Sequence, residues 1–139
     1  MNSLYLDTNF FIYISDASSL FYRNCLGLIK YASSNHINLV TSAETIQEII
    51  HVSKRAKRLA KGLKTARIAV QLTNELLPIS KEVILNYLKY VSIYKSAPSR
   101  DLIHLAVCLE NKIDKIVTFD KDFSKFKELK ILSPEEINN

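Results

Sequence analysis

The feature that most constrains the fold is a short apolar run at residues 4–6, which stops at the carboxylate of Asp7. Its side chains favour a β-strand, and consecutive apolar positions are typical of a strand covered on both faces in a parallel sheet. In such sheets ligands bind beyond the carboxyl ends of the strands, which is the predicted position of Asp7. Asp7 is also a good N-cap for a following helix, so this run alone leaves a structural and a functional role open.

Strand and helix patterns alternate along the rest of the chain. Further strands are predicted at residues 37–40, 76–79, within 113–119, and at 130–132. Helices are predicted at residues 10–14, 18–33, 42–74, 80–91 and 99–110, and the third runs unbroken through the basic stretch, with Gly62 a mild weakness. The alternation predicts an α/β three-layer sandwich, with a mainly parallel central sheet of four or five strands flanked by helices.

Composition sets the class of protein. The 139 residues, 47% of them hydrophobic, suffice for a single domain over residues 1–139 that needs neither disulfides nor metals for stability. No apolar run approaches the roughly 20 residues that cross a bilayer, and the N-terminus lacks a signal pattern, so we expect a cytoplasmic protein with no membrane partner. Cys25 and Cys108 are predicted to be buried free thiols.

Positive charge is concentrated in one stretch. Residues 54–67 contain seven basic residues and no acid, so removing them from the net charge of +5 leaves −2 for the remaining chain. On one continuous helix, five of these side chains form a stripe opposite an apolar face: Lys54, Lys57, Arg58, Lys61 and Lys64. The stripe is either an ordinary solvated surface or, because it contains no acid, a contact for the phosphates of RNA.

Four carboxylates are candidates for one site. Asp120 is predicted to end a strand as Asp7 does, and Asp101 lies in the first turn of a helix, where the helix dipole alone explains an acid. Glu48 has apolar neighbours, and Glu44, one turn earlier, is an alternative to it. Each acid has an adequate structural explanation by itself.

Taken together, the acids predict a cation site. Four clustered carboxylates repel one another unless divalent cations bind, and oxygen ligands suit Mg²⁺ or Mn²⁺ better than Zn²⁺. Such ions equip a site for phosphodiester hydrolysis. Nucleophilic catalysis with histidine has less support, because His51 and His104 have apolar neighbours and are predicted to be packing or surface residues. An Asp-x-Asp phosphatase is disfavoured because Asn9 occupies the position of the second acid.

The sequence resembles the PIN domains, and within them the VapC-like toxin ribonucleases. The resemblance extends over the chain from end to end and rests on motifs in the family's order and spacing at residues 6–9 (LDTN), 41–42 (TS), 47–50 (QEII), 101–106 (DLIHLA) and 117–123 (VTFDKDF). It implies an endoribonuclease dependent on Mg²⁺ or Mn²⁺ with acids at Asp7, Glu48, Asp101 and Asp120. It also implies that Asp7, Asp101 and Asp120 hold the metal.

The same resemblance assigns supporting roles. The family places a hydroxyl or amide near the first acid, which corresponds to Thr8 and Asn9 in this chain. At the family's variable fourth position Asp120 competes with Asp122, and Asp120 is preferred because it is predicted to follow the strand directly. The family pattern favours Glu48 over Glu44.

The resemblance also implies partners. A VapC-like toxin acts on RNA, pairs with a small cognate antitoxin that covers the acidic groove, and is commonly a homodimer. Two alternatives use the same fold: a housekeeping nuclease of RNA processing, and a module that binds RNA or protein without cutting. The complete set of acids argues against the binding module, because losing one carboxylate would relieve repulsion if no metal were bound.

Overall fold

The central strand of the sheet is β1 (Ser3–Leu6), the run that ends at Asp7. The computed structural model describes residues 2–137; Met1, Asn138 and Asn139, which the predicted domain includes, lie outside the described residues. Within that range five parallel strands form one sheet in the order β3-β2-β1-β4-β5. The other strands are β2 (Asn38–Ser42), β3 (Glu75–Leu77), β4 (Lys115–Val117) and β5 (Lys130–Leu132).

Helices connect the strands, as the alternating pattern predicts. They are α1 (Thr8–Ile14), α2 (Tyr22–Ser34), α3 (Ala43–Arg55), α4 (Leu59–Leu72), α5 (Lys81–Ile93), α6 (Ser99–Glu110) and α7 (Pro134–Ile137), with a 3-10 helix at Lys121–Lys125. The predicted cap of α5 is present, because the Ser80 side chain accepts a hydrogen bond from the Val83 N–H at 3.2 Å.

The two faces of the sheet bury separate hydrophobic cores, because successive side chains of a strand point to opposite faces. Tyr5 packs in the core formed with α5 and α6. Leu4 and Leu6 pack in the other core, formed with α1, α2, α3 and α4. Helices therefore cover both faces of a parallel sheet, and the predicted α/β three-layer sandwich is confirmed.

The prediction of one helix over residues 42–74 is wrong. α3 ends at Arg55 and α4 begins at Leu59. Lys57 between them has a φ of 57°, and the Arg58 N–H donates to the Ser53 carbonyl at 2.8 Å. This left-handed residue and its hydrogen bond form a Schellman helix end, although glycine is the usual residue there. The five basic side chains therefore do not form a single helical stripe.

Gly62 allows the two helices to pack closely. A Cβ atom at Gly62 would lie 2.2 Å from Ser53 Oγ and 2.3 Å from Ser53 Cβ. No side chain fits in that space, so the residue predicted to weaken one long helix is instead required where α4 crosses α3.

The two cysteines are buried and free, as predicted. Burial raises the pKa of the Cys25 thiol to about 12, and burial together with the charge of Asp7 raises the pKa of Cys108 further still. Both are therefore packing residues with little thiolate character. Within residues 2–137, no helix has the length and apolar character that crossing a bilayer requires.

Candidate functional site

The acidic residues meet where the strand order of the sheet reverses. From β1 the chain proceeds to β2 and β3 on one side, while β4 and β5 lie on the other side. A cavity of about 310 Å³ lies here, at the carboxyl ends of β1 and β4, as expected for ligand sites in sheets of this type. Its polar and charged lining residues are Asp7, Thr8, Asn9, Glu48, Arg100, Asp101, His104, Asp120 and Asp122.

Asp7 both caps α1 and lines the cavity. Its Oδ1 accepts a hydrogen bond from the Thr8 N–H at 2.8 Å, and its Oδ2 accepts one from Thr118 Oγ1 at 2.8 Å. The side chain is almost inaccessible to solvent, and burial raises the pKa of the Asp7 carboxyl despite the opposing effects of His104 and Thr118. Asp7 is therefore a helix cap whose side chain also lies at the cavity, so its capping role does not exclude a functional one.

Glu48 enters the cavity from α3. The lining residues include Glu48 and not Glu44, so the preference between these two acids agrees with the geometry. Glu48 Oε1 accepts hydrogen bonds from Thr8 Oγ1 at 2.7 Å and from His104 Nε2 at 3.0 Å. Burial acts to raise the pKa of Glu48, but the hydrogen bonds from His104 and Thr8 and the nearby positive charges outweigh it and lower the pKa.

Asp101 lies in the first turn of α6 and is paired with a lysine that sequence reasoning missed. Lys125 Nζ lies 2.8 Å from Asp101 Oδ2. Lys125 ends the 3-10 helix, whose position relative to α6 depends on packing and leaves no signal in the sequence pattern. A cation held by Asp101 would compete with this ammonium group for the carboxylate.

Asp120 and Asp122 both line the cavity. The reason for preferring Asp120 is wrong, because β4 ends at Val117 and two residues separate the strand from Asp120. Asp120 Oδ1 accepts a hydrogen bond from the Asp122 N–H at 2.9 Å and so caps the 3-10 helix. Its own N–H donates to Thr118 Oγ1 at 2.9 Å, so one threonine connects the acid after β1 with the acid after β4.

The two predicted supporting residues lie beside these acids. Thr8 uses its hydroxyl to bind Glu48 and its backbone N–H to bind Asp7, so it joins the carboxylates of β1 and α3. Asn9 is half-buried and lines the same cavity.

His104 is part of the site, contrary to the prediction of a packing or surface residue. It is 1% exposed, and its Nε2 lies 3.0 Å from Glu48 Oε1 and 3.9 Å from Asp7 Oδ1. Burial acts to lower the pKa of His104, but the hydrogen bond to Glu48 and the charges of Asp7 and Glu48 outweigh it and raise the pKa. One sequence feature could have placed His104 near the acids: it follows Asp101 by three residues, which puts both on the same face of α6. His51 is exposed, as predicted.

The five basic residues lie on two helices and the turn between them, instead of on the single helix that was predicted. Lys54 belongs to α3, Lys57 and Arg58 to the turn, and Lys61 and Lys64 to α4. All five are exposed. Arg58 and Lys61 line a second cavity of about 160 Å³, which shares two apolar lining residues, Ile12 and Val52, with the acidic cavity. We call the five residues the basic turn.

The donor set of the acidic cavity fits a hard divalent cation in its chemistry. The side chains available as ligands are oxygen donors, because Glu48 and Tyr5 already engage both ring nitrogens of His104. A cation would also offset the free-energy cost of burying the negative charge of Asp7. Within residues 2–137, no three His, Cys, Asp or Glu side chains have the mutual spacing of a metal site, and Asp101 is paired with Lys125 instead.

Comparisons with known proteins found one matching family model, similar curated proteins and solved structures of the same fold. The family model described as PIN domain matches residues 4–129. A VapC ribonuclease from Mycobacterium bovis is 27% identical over 128 residues, which cover 92% of this chain and 98% of the relative. The structure is similar to that of VapBC2 from Rickettsia felis bound to promoter DNA, with a TM-score of 0.77, 13% identity, and coverage of 94% of this chain and 98% of the other. It is also similar to VapC20 of Mycobacterium tuberculosis, described as a sarcin-ricin loop cleaving toxin, with a TM-score of 0.70, 16% identity, and coverage of 91% and 98%.

Proposed function

This chain belongs to the PIN domain family, and from that premise we propose that it is a divalent-metal-dependent endoribonuclease, the toxin of a type II toxin–antitoxin pair. The observation that carries the proposal is the meeting of Asp7, Glu48, Asp101 and Asp120 around one cavity at the strand reversal. The VapC name of a relative that this chain matches almost from end to end supports RNA as the substrate.

Asp7, Asp101 and Asp120 are the residues that would hold Mg²⁺ or Mn²⁺, and Asp122 is the alternative to Asp120. A bound ion of this kind supplies a Lewis acid, which acidifies water and stabilises negative charge on a phosphoryl oxygen. The protein contributes position: Thr118 and the Thr8 N–H fix both oxygens of Asp7, and the Thr8 hydroxyl helps to fix Glu48. Asn9 is assigned to positioning Asp7 or water, because it lines the same cavity.

The basic turn is the part of the surface that we assign to RNA binding. All five residues are exposed: Lys54, Lys57, Arg58, Lys61 and Lys64. Arg58 and Lys61 line a cavity that adjoins the acidic one, which suits a strand of phosphates leading to the reacting bond. Lys61 Nζ lies 3.5 Å from Asp16 Oδ2. Such an exposed ion pair is weak enough for Lys61 to exchange the carboxylate for a phosphate of RNA.

The proposal includes protein partners. Two solved structures of this fold are described as a toxin-antitoxin complex from Klebsiella pneumoniae and a member of the VapBC family of toxin-antitoxin systems from Mycobacterium tuberculosis, so we assign a small antitoxin to this chain. We also assign to it the homodimer expected from the family resemblance. We also propose a cytoplasmic location, because the RNA substrate is found there.

A cleavage assay tests the proposed function directly. The purified protein is incubated with total RNA and defined single-stranded RNAs in the presence of Mn²⁺, Mg²⁺ or EDTA. Wild type cleaves only with a divalent ion, and D7N and D101N do not cleave. D114N is the matched control, because Asp114 is exposed at the opposite end of β4 from the cavity, and it cleaves as wild type does. Full activity in both D7N and D101N, or wild-type activity in EDTA, contradicts the proposal.

A further inference from the structure

A buried tyrosine hydroxyl lies under the acidic cavity. Tyr5 occupies the central strand at 0% exposure, in a core where phenylalanine would avoid burying a polar group. Its hydroxyl oxygen lies 2.6 Å from His104 Nδ1 and 2.7 Å from Ser42 Oγ. An unpaired hydroxyl in such a place is costly, and this one is fully paired. The hydroxyl therefore needs an explanation beyond packing.

The bonding partners of His104 determine which nitrogen carries the proton. The Glu48 carboxylate can only accept, so His104 Nε2 must donate the 3.0 Å hydrogen bond between them. In the neutral imidazole Nδ1 then accepts from the Tyr5 hydroxyl, whose oxygen accepts from Ser42. Glu48 thus determines the tautomer of the ring, and Tyr5, bonded to the other ring nitrogen, holds the ring in its orientation.

The histidine in turn determines which oxygen of Glu48 is available. Oε1 accepts from both His104 and Thr8. Oε2 has one long contact among residues 2–137, 3.5 Å from Arg100 Nη1. His104 Nε2 also lies 3.9 Å from Asp7 Oδ1, between two carboxylates that would otherwise repel each other. One ring therefore orients Glu48 and reduces the repulsion between Glu48 and Asp7.

We propose that His104, held by Tyr5, is a positioning residue that keeps Glu48 Oε1 engaged and directs Oε2 to the metal and water of the cavity. The inference rests on the proposed function and adds a role for two residues to it. His104 acts through Glu48 and touches neither substrate nor metal. Polar partners that orient the ligands of a metal site commonly contribute about 10- to 100-fold to affinity or activity.

Two substitutions of His104 separate positioning from packing. H104Q places an amide N–H at the same number of bonds from Cα as Nε2, so it retains a donor for Glu48. H104N places its amide at the position of Nδ1, so it retains a partner for Tyr5 and cannot reach Glu48. We expect H104N to weaken Mn²⁺ binding and lower kcat by about tenfold or more, with the KM for RNA little changed, and H104Q to lose much less. H51N, on the exposed histidine of α3, is the control and changes neither quantity.

Two further measurements connect the effect to Glu48 and Tyr5. Combined with E48Q, H104N should cause little additional loss of Mn²⁺ affinity, because two residues acting through one hydrogen bond are not additive. In metal-free protein, ¹⁵N NMR should report a proton on His104 Nε2, and Y5F should shift the Nδ1 resonance because that nitrogen loses its donor.

Mn²⁺ affinity is measured by titration calorimetry, kcat and KM by steady-state cleavage kinetics, and folding by thermal unfolding. Equal losses in H104Q and H104N that follow the loss of thermal stability would overturn the proposal in favour of packing. Wild-type affinity and kcat in H104N would also overturn it. A wild-type protein that binds Mn²⁺ but cleaves no RNA contradicts the proposed function alone, whereas one that binds no Mn²⁺ contradicts both.

Discussion

Thr118 and Asp7, which are 111 residues apart in the chain, share a 2.8 Å hydrogen bond in which the threonine hydroxyl donates to Oδ2 of the carboxylate. The same hydroxyl accepts from the Asp120 N–H at 2.9 Å. Both Thr118 and Asp7 are buried at the reversal of strand order. One hydroxyl therefore links the carboxylate of Asp7 to the backbone of Asp120.

Replacing Thr118 by valine preserves its shape and removes this hydroxyl. We expect T118V to reduce metal-dependent cleavage about 10- to 100-fold, because Asp7 loses its orienting donor. The free energy of unfolding should fall by about 1–3 kcal/mol, since two buried groups lose a partner. T118S retains the hydroxyl and is the control. If T118V and T118S were equally active, the hydrogen bond to Asp7 would have no part in the activity.

Asp7 is expected to lower the stability of the metal-free protein at neutral pH. Burial raises the pKa of its carboxyl, so the folded state disfavours the anion. D7N keeps a good helix cap and should be as stable as wild type or more stable at pH 8. The difference in unfolding free energy between D7N and wild type should shrink as the pH falls through the raised pKa of Asp7 and on to the usual aspartate range. There both proteins carry a neutral group at position 7. Urea unfolding in EDTA at pH 8 and pH 4 measures the difference in unfolding free energy between the two proteins. A D7N protein less stable than wild type at pH 8 would contradict the prediction.

Lys125 is expected to compete with metal for Asp101. An ion pair of this exposure contributes about 0.2–1 kcal/mol, so K125M should increase Mn²⁺ affinity by up to about fivefold. K121M is the matched control, because Lys121 is exposed in the same 3-10 helix. Titration calorimetry distinguishes the two variants. A fall in affinity in K125M would instead show that the ammonium supports the metal-bound arrangement.

The basic turn is expected to bind RNA through phosphates. Changing Lys57, Lys61 and Lys64 to glutamine in the D7N protein should weaken RNA binding regardless of sequence. The slope of log affinity against log salt should become shallower by about 0.7 for each phosphate that the variant no longer neutralises.

A control for this prediction removes three exposed lysines at the amino edge of the sheet: Lys30, Lys112 and Lys130. Fluorescence anisotropy over a range of salt concentrations compares the two triple variants. Equal affinities for RNA at low salt would remove the basic turn from the interface.

Gly62 is expected to tolerate no side chain, although alanine is the better helix former. A Cβ atom would overlap Ser53, so G62A should lower the free energy of unfolding by about 1–3 kcal/mol through overpacking between α3 and α4. G27A in α2 is the matched control and should be neutral or stabilising by up to about 1 kcal/mol, since φ is negative at both glycines. Urea unfolding compares them, and a G62A protein as stable as wild type would show that the helices separate at little cost.

The layers of the fold and the direction of its strands could be predicted from local sequence signals. These signals are the apolar run before Asp7, the alternation of strand and helix patterns along the chain, and the helix cap at Ser80. The structure contains the strand, the alternating elements and the cap that they predict. Carboxylates placed just after strands, or in the first turn of a helix, must meet at one edge of a parallel sheet. The positions of Asp7 and Asp101 therefore followed from the pattern.

Which side chains touch at that edge depends instead on how distant parts of the chain pack together. Three features depend on how elements distant in sequence pack together. They are the helix break at Lys57, the ion pair of Lys125 with Asp101, and the hydrogen bonds that connect Tyr5, His104 and Glu48. Periodicity fixes the face on which a residue lies, but hydrogen bonds form over about 3 Å, and that precision arises only when α3, α6 and the sheet are packed against one another.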